Sequence, residues 1–290
     1  MIWGEKIIDD IARRKAVIFF GAGVSMNSLG RDGVTRPKSW VQFLNVAANR
    51  LQPKDKTITK QLIKQNDLLT ACEVIRRVLG DEFIELVKDE FQTPGYGHTR
   101  IHELLWLLDL RINITPNFDN IYDSYVSAAS QGTINIKNYT QDDIADSIRR
   151  NAPVLIKSHG TVTEPNNLIF TRVDYAKARN SHRDFYELLD SLLRTHTFIF
   201  IGCGLDDPDI RLLLEDYCFR HKYAQKHYFV LPSKRYSTLV KQVYEDSLKL
   251  KILEYKYSDT TQHSNLLEEL EHLVTSVNQK RIEISLTQQW

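Results

Sequence analysis

Cysteine is scarce in this sequence of 290 residues, which contains three: Cys72, Cys203 and Cys218. None of them forms a C-x-x-C pair, so the sequence indicates neither a disulfide framework nor a structural zinc site. We expect the three to be small buried residues in a reducing compartment. No metal site is therefore predicted.

An excess of charge of either sign is also lacking. The 38 lysines and arginines face 37 aspartates and glutamates, which gives a formal net charge of +1. A dedicated nucleic-acid surface normally carries a strong basic excess. Direct nucleic-acid binding is therefore not indicated.

Long apolar runs are missing, and so are the charged and apolar blocks of a signal peptide. No stretch approaches the roughly 20 apolar residues that a membrane-spanning helix needs. We therefore expect a cytoplasmic protein with no membrane partner. Hydrophobic residues make up 42% and charged residues 26%, as in an ordinary globular chain with a core. This length suits one large domain, or a core domain with an insertion.

The stretch that organises the chain is a run of five apolar residues, 16–20, followed by Gly21-Ala22-Gly23 and then Ser25. It is typical of a buried parallel strand that runs into a phosphate-binding turn. Glycines let a backbone approach a pyrophosphate and point several N–H groups at it, and Ser25 adds a hydroxyl donor. Gly-x-Gly turns also occur where the glycines only close a loop, so this stretch alone leaves both interpretations open.

Helical and strand patterns fill the rest of the chain. Apolar spacing is almost wholly helical over residues 41–110, which predicts a helical insertion between the first and second strands. Beyond it, alternating helices and strands indicate an α/β fold, a parallel sheet with helices on both faces. A last amphipathic helix and an extended tail from residue 281 are expected within the C-terminal segment 261–290. The later strands are predicted at 111–115, 154–157, 168–170, 197–201, 228–231 and 251–255.

Ligands of open parallel sheets bind beyond the carboxyl ends of the strands. Polar or glycine-rich stretches follow four of the predicted strands at that end. They are Gly21–Ser25, 116–119, 158–160 and 202–204. This common position is the main argument from the residues for a single site.

The stretches after the second strand and after strand 154–157 contain candidate catalytic side chains. Asp119 fits an Asx turn or a helix cap, whereas a cap does not require Asn117, whose amide suits a carboxamide, a sugar hydroxyl or a water. His159 follows a buried strand, and the neighbouring Gly160 leaves room for a ligand. A lone histidine is more often structural, so that role and general-base catalysis both stay open.

The stretch after strand 197–201 is rich in glycine and aspartate. Gly202 and Gly204 suit a close approach to a ribose or a second phosphate. Asp207 followed by Pro208 is a strong helix start, and capping alone accounts for this aspartate.

In this order, the motifs GAGVS, TPNFD, KSHG and GCGLDDPDI resemble the SIR2 (sirtuin-like) family over about residues 17–255. The segment LIFT with Asp174-Tyr175 after it is similar to a segment of the bacterial SIR2-like branch. The resemblance implies a single Rossmann-like domain, residues 1–290, that binds NAD as its substrate.

The resemblance also implies a role for each site residue. Asn117 and His159 would be catalytic. Around the dinucleotide would lie Gly21, Ala22, Gly23 and Ser25 at the pyrophosphate, Asp119 near the nicotinamide and its ribose, and Gly202 and Cys203 on the adenosine side.

Three features differ from the sirtuin deacylases. Those enzymes carry a four-cysteine zinc module, which three scattered cysteines cannot build. They also have Asp-Phe-Arg after the glycine turn, which is missing here, and usually a glutamine where this chain has Pro116. The differences argue against an acyl-lysine substrate. They favour the bacterial SIR2-like proteins that cleave NAD in antiphage defence, often beside a HerA-like partner ATPase or a sensor domain.

We therefore expect an NAD+ hydrolase that releases nicotinamide and ADP-ribose and whose activity is gated in a homo-oligomer or by a partner. Asn117 would orient the ribose or the attacking water, and His159 would accept a proton. Two alternatives remain. One is a non-catalytic module that senses NAD or ADP-ribose, and the other is a zinc-free NAD-dependent protein deacylase.

Overall fold

The computed structural model describes residues 3–204, 208–258 and 263–287. Within these ranges, seven strands form one sheet in which every neighbouring pair is parallel. The strands are β1 Ala16–Phe20, β2 Ile112–Thr115, β3 Asn135–Asn138, β4 Val154–Lys157, β5 Thr197–Ile201, β6 His227–Pro232 and β7 Leu250–Tyr255. Their order in the sheet is β3-β4-β2-β1-β5-β6-β7, which confirms the predicted α/β fold.

Helices connect the strands. They are α1 Glu5–Ala12, α2 Ala22–Ser25, α3 Trp40–Ala48, α4 Pro53–Lys64, α5 Leu68–Leu79, α6 Asp81–Phe91, α7 Arg100–Leu107, α8 Ile121–Ala129, α9 Ile144–Arg149, α10 Arg172–Ser181, α11 Arg183–Thr195, α12 Pro208–Arg220, α13 Thr238–Ser247 and α14 Ser264–Thr287. In the part of the chain that the structure describes, no helix is long and apolar enough to cross a membrane.

Strands β1 and β5 lie in the middle of the sheet, and every residue of both strands is buried. Their register pairs Phe20 with Ile201, so the two strands end at the same edge. Side chains alternate across the sheet: Ile18 and Phe20 enter one core, and Val17 and Phe19 enter another. Helices cover both cores, and the edge where the strands end is left for loops.

The helical segment, residues 41–110, lies between β1 and β2 and consists of two parts. Helices α3 to α6 pack on one another around a third core that includes the fully buried Phe43, Ile75 and Phe83. Helix α7 belongs to the core on one face of the sheet, where it packs against α14. The segment therefore leaves the sheet and returns to it before β2 begins.

The strand expected at residues 168–170 is wrong, because this segment is a loop. Leu168 and Phe170 enter the core of the helical segment, while Ile169 enters a core of the sheet. Burial on alternate sides produces the same apolar run as a buried strand. Sequence analysis also missed β3, whose pattern is weak because three of its four residues are only half-buried.

The extended tail expected from residue 281 is also wrong, because α14 continues through residue 287. Ile284 is buried in the same core as α1 and α7. Arg281 donates a hydrogen bond to the carbonyl oxygen of Leu108 at 2.8 Å. This part of the C-terminal segment therefore packs on its own domain. The last three residues and Asp207, the expected helix cap, lie outside the described residues.

Candidate active site

Strand β1 ends in the glycine turn, Gly21–Gly23, which packs against the β5 loop that begins at Gly202. The N–H of Gly21 donates to Ile201 O at 3.0 Å, and that of Gly23 donates to Gly202 O at 2.9 Å. A Cβ on Gly23 would lie 2.9 Å from the Gly202 Cα, and Gly202 itself has a φ of +66°. The close approach of two backbones therefore requires glycine here. These two N–H groups hold the turn together, so pyrophosphate binding by the turn stays a prediction.

Cys203 lies beside the same turn and is partly buried. Its thiol is 3.6 Å from Phe19 O and 3.5 Å from Ile201 O. A Cβ on Gly21 would lie 3.0 Å from the Cys203 sulfur. Two of the stretches that sequence analysis assigned to the dinucleotide are thus in direct contact.

Three of the predicted site residues form one hydrogen-bonded group, the site cluster of Ser25, Asn117 and Asp119. The Asn117 amide nitrogen donates to Ser25 Oγ at 3.0 Å. The Ser25 hydroxyl donates in turn to Asp119 Oδ2 at 2.8 Å. All three residues are buried. Because Ser25 both accepts and donates, the orientations of its hydroxyl and of the Asn117 amide are fixed.

The backbone around the site cluster is held by strand ends and by a helix start. The Thr115 hydroxyl donates to Phe20 O at 2.8 Å and accepts from the Asn117 N–H at 3.2 Å. Asp119 Oδ1 accepts from the N–H of Ile121, the first residue of α8, at 3.1 Å. Asp119 therefore forms an Asx turn just before α8 with one oxygen and accepts from Ser25 with the other. A place for Asp119 near the nicotinamide and its ribose stays a prediction.

Lys157, the last residue of β4, is a part of the site to which sequence analysis gave no role. Its ammonium group is buried and donates to Asp119 O at 2.5 Å and to Asp123 Oδ1 at 3.0 Å. Burial raises the pKa of Asp123, and the ammonium group of Lys157 opposes that rise. A lysine in an otherwise apolar strand was the available signal, because a buried charge needs a partner.

His159 lies just past β4 and is buried, with 5% of its surface exposed. Its ring stands edge-on to that of Tyr175, with centroids 5.3 Å apart and an interplanar angle of 87°. The His159 carbonyl accepts from the Ile169 N–H at 3.1 Å and closes the His159 loop, residues 158–169. Gly160 within this loop has a φ of +89°, and a Cβ there would lie 2.6 Å from Asn167 O.

The His159 loop is hydrogen-bonded directly to the segment that carries Asn117. The Val162 N–H donates to Phe118 O at 2.9 Å, and the Thr161 hydroxyl donates to Asn120 Oδ1 at 2.8 Å. The two candidate catalytic residues thus lie on neighbouring segments that are tied together. Their convergence on one ligand stays a prediction.

Aromatic side chains of α3 and α6 reach the same edge of the sheet. The Phe118 ring lies 6.0 Å from Phe91 and 6.5 Å from Trp40 between ring centroids. Tyr96 donates to Glu90 O at 3.0 Å. Burial, with the carboxylates of Glu90 and Asp119 nearby, raises the pKa of Tyr96 to about 12. The helical segment therefore contributes both apolar and polar groups next to the site cluster.

A family model described as "SIR2-like domain" matches residues 111–255, half of the chain. The chain belongs to the SIR2-like family. The matched region includes Cys203 and four more of the predicted site residues, and the glycine turn precedes it. The other four are Asn117, Asp119, His159 and Gly202.

Curated relatives of this SIR2-like chain carry bacterial enzyme and defence names. This chain is 25% identical over 248 residues to "NAD(+) hydrolase ThsA" of Enterococcus faecium, and the match covers 84% of this chain and 47% of that protein. It is 24% identical to the protein of the same name from Bacillus cereus, over 78% of this chain and 44% of that protein. "Defense-associated sirtuin 2" of Bacillus subtilis is 24% identical over 72% of this chain and 20% of its own length. The chain spans about half the length of the two hydrolases.

Most residues predicted for this SIR2-like site lie at one edge of the sheet. The site cluster is hydrogen-bonded, and the glycine turn contacts Gly202 and Cys203. Ala22, between the two glycines, is half-buried at the start of α2. Throughout the described ranges, no group of three His, Cys, Asp or Glu side chains lies close enough together to hold a metal ion.

Proposed function

We propose that the chain is an NAD+ hydrolase that converts NAD+ and water into nicotinamide, ADP-ribose and a proton. The observation that carries the proposal is the buried site cluster at the carboxyl ends of β1 and β2, to which the His159 loop is tied. A SIR2-like domain and similarity to proteins named NAD(+) hydrolase support it.

The dinucleotide would lie across the carboxyl ends of the central strands, where open parallel sheets bind ligands. Gly21, Ala22 and Gly23 would face its pyrophosphate, with Ser25 at the inner end. Gly202 and Cys203 would border the adenosine half. The contact between the glycine turn and the β5 loop supports one continuous binding surface.

Cleavage of the bond between nicotinamide and ribose passes through an oxocarbenium-like state, from which nicotinamide leaves as a neutral base. The site therefore has to orient water and stabilise positive charge on the sugar. The Asn117 amide nitrogen is bound by Ser25, which leaves its oxygen to accept from a ribose hydroxyl or the attacking water. The Asp119 carboxylate would favour the cationic sugar.

His159 would act as the general base and accept the proton that the water loses as it attacks C1 of the ribose. Its position beside Gly160 and on a loop tied to the Asn117 segment supports this role. No metal is assigned a role.

We further propose that the activity is gated and serves antiphage defence by depleting NAD+ in the cytoplasm. Similarity to a protein named defence-associated sirtuin supports the defence role. Unregulated NAD+ cleavage would harm the cell that makes the enzyme, so a homo-oligomer, or an activating partner such as a HerA-like ATPase, would control it.

The test is chromatography of the products after purified protein is incubated with NAD+, alone and with candidate partners. We expect nicotinamide and ADP-ribose in equal amounts. Asn117→Ala and His159→Ala should each lower nicotinamide release at least about 100-fold while the protein stays folded. Asn278→Ala and His272→Ala, on α14, are matched controls that should keep the wild-type rate.

Three outcomes would contradict the proposal. NAD+ binding without cleavage under every condition would favour the sensing module. O-acyl-ADP-ribose formed only when an acyl-lysine peptide is added would favour the deacylase. Undiminished nicotinamide release by both site variants would remove the assigned catalytic roles.

A further inference from the structure

One short segment, residues 168–175, contacts the His159 ring and also the residue that follows Asn117 in the chain. The Phe170 ring lies 4.5 Å from the ring of Phe118, which directly follows Asn117 in the chain. The Tyr175 ring meets the His159 ring edge to face at 5.3 Å. Both distances lie in the range where aromatic pairs attract each other. The segment therefore packs against each catalytic candidate or its neighbour.

The position of Tyr175 is set by the way in which α10 begins. Thr171 and Asp174 form a capping box, in which the Thr171 hydroxyl accepts from the Asp174 N–H at 3.2 Å and Asp174 Oδ2 accepts from the Thr171 N–H at 3.0 Å. Asp174 Oδ2 also accepts from the Phe170 N–H at 3.2 Å. Tyr175 follows directly and is buried, with 6% of its surface exposed. A capped helix start leaves this ring little freedom to move relative to His159.

The same helix start is joined to the helical segment by two ion pairs. Arg76 of α5 lies 2.5 Å from Asp174 Oδ2, and the carboxylate is largely shielded from solvent. Arg172, the first residue of α10, donates to Asp67 Oδ1 at 2.9 Å. Asp67 caps α5. One end of α5 and its last turns therefore hold the beginning of α10.

We propose that Tyr175 is a positioning residue for His159, and that the Arg76–Asp174 ion pair makes this positioning depend on the helical segment. A general base works only when its ring nitrogen faces the water at the correct angle. The edge-to-face contact restricts rotation of the His159 ring, and the capping box holds the tyrosine that makes the contact. The role assigned to His159 rests on the proposed function, whereas the contact does not.

The first experiment compares Tyr175→Leu with Tyr175→Phe in the nicotinamide-release assay. Loss of the ring in Tyr175→Leu should lower kcat by about 10- to 100-fold and leave KM for NAD+ within about threefold of wild type. Tyr175→Phe keeps the ring and should retain most of kcat. A Tyr175→Phe enzyme as slow as Tyr175→Leu would overturn the role of the ring contact.

The second experiment uses neighbouring arginines on α5. Arg76→Ala removes the partner of Asp174 and should lower kcat by about three- to tenfold. Arg77→Ala is the matched control, because Arg77 is exposed on the same helix. Since Arg76 is partly exposed, the variant should fold even if Tyr175→Leu does not. Equal rates for the two arginine variants would overturn the dependence on the helical segment.

A third measurement is independent of catalysis. In protein labelled with 13C at histidine, the Cε1–H resonance of His159 is assigned by its loss in His159→Ala. The ring current of Tyr175 shifts the resonances of protons on the neighbouring His159 ring. The His159 signal should therefore move in Tyr175→Leu, move less in Arg76→Ala and stay in place in Arg77→Ala. An unmoved signal in Tyr175→Leu refutes the contact. If the wild type releases no nicotinamide either alone or with candidate partners, the proposed function has failed and this spectrum alone decides the contact.

Discussion

Gly202 and Gly23 lack side chains, and this lets the two loops beside the site come into contact. The two residues face each other across the gap between β1 and β5, with no room for a Cβ on either one. Sequence analysis assigned these glycines to a ligand, but the structure uses them first to bring two loops together. Glycine is therefore required here whether or not a phosphate binds nearby.

Gly202→Ala should destabilise the protein more than an alanine at another left-handed glycine. At Gly132, with a φ of +76° and open space around it, alanine should cost about 1–2 kcal/mol of unfolding free energy from backbone strain. At Gly202 a Cβ would also lie 2.8 Å from Val24 N, which should add about 1–3 kcal/mol. Urea unfolding measures the free energy of unfolding of both variants. Equal losses would show that the two loops can move apart at little cost in free energy.

At the level of elements, the carboxyl end of β4 is connected to α8 by a buried charge. Lys157 binds Asp123 on α8 and the carbonyl of Asp119 just before the helix. Removing one partner of a buried ion pair leaves an uncompensated charge, whereas removing both leaves none. The strand and the helix that frame the site cluster therefore depend on the pair as a unit.

Lys157→Met should lower the unfolding free energy by about 3–5 kcal/mol because Asp123 is left buried and unpaired. The double variant Lys157→Met with Asp123→Leu should recover most of that loss. Arg211→Ala, which breaks the exposed pair with Glu215 on α12, should cost less than about 1 kcal/mol. Urea unfolding measures the free energy of unfolding of all three variants. A double variant no more stable than Lys157→Met would refute the coupling between Lys157 and Asp123.

At the scale of the whole molecule, the described residues bury their apolar side chains in three cores: one on each face of the sheet and one within the helical segment. Two histidines far apart in the chain are buried in this framework. Burial lowers the pKa of His102 and of His227 to about 4, from an ordinary value of 6.5. Both are therefore neutral in the folded protein near neutral pH.

The unfolding free energy should fall as the pH is lowered from about 6.5 to about 4. In this window the unfolded chain binds protons at His102 and His227 that the folded chain does not, and the loss levels off below the folded pKa. His227→Gln keeps an acceptor for the Phe198 N–H and should reduce the slope by up to about 1.4 kcal/mol per pH unit. His272→Gln, exposed on α14, is the control. Identical slopes for the two variants would contradict the prediction.

The sequence predicted most of the fold, but it predicted only part of the arrangement of the candidate site. The apolar runs of β1, β2, β4 and β5 and the glycine or polar residues after them were sufficient for the parallel sheet and the edge that carries the candidates. Ser25, Asn117 and Asp119 were predicted because a polar residue just past a strand end stands out in the sequence. Tyr175 was noticed only as part of a motif, because its contact with His159 spans residues that are distant in the sequence.

Local patterns by themselves determined six of the seven described strands, their parallel direction and the edge at which polar side chains gather, because hydrophobic periodicity and turn residues act over a few positions. Only the tertiary structure decided that Lys157 binds the carbonyl oxygen of Asp119, that the loops of Gly23 and Gly202 are in contact, and that Arg76 pairs with Asp174 at the start of α10. Those contacts join residues many positions apart. Packing in three dimensions selects such partners, and no short pattern in the chain specifies them.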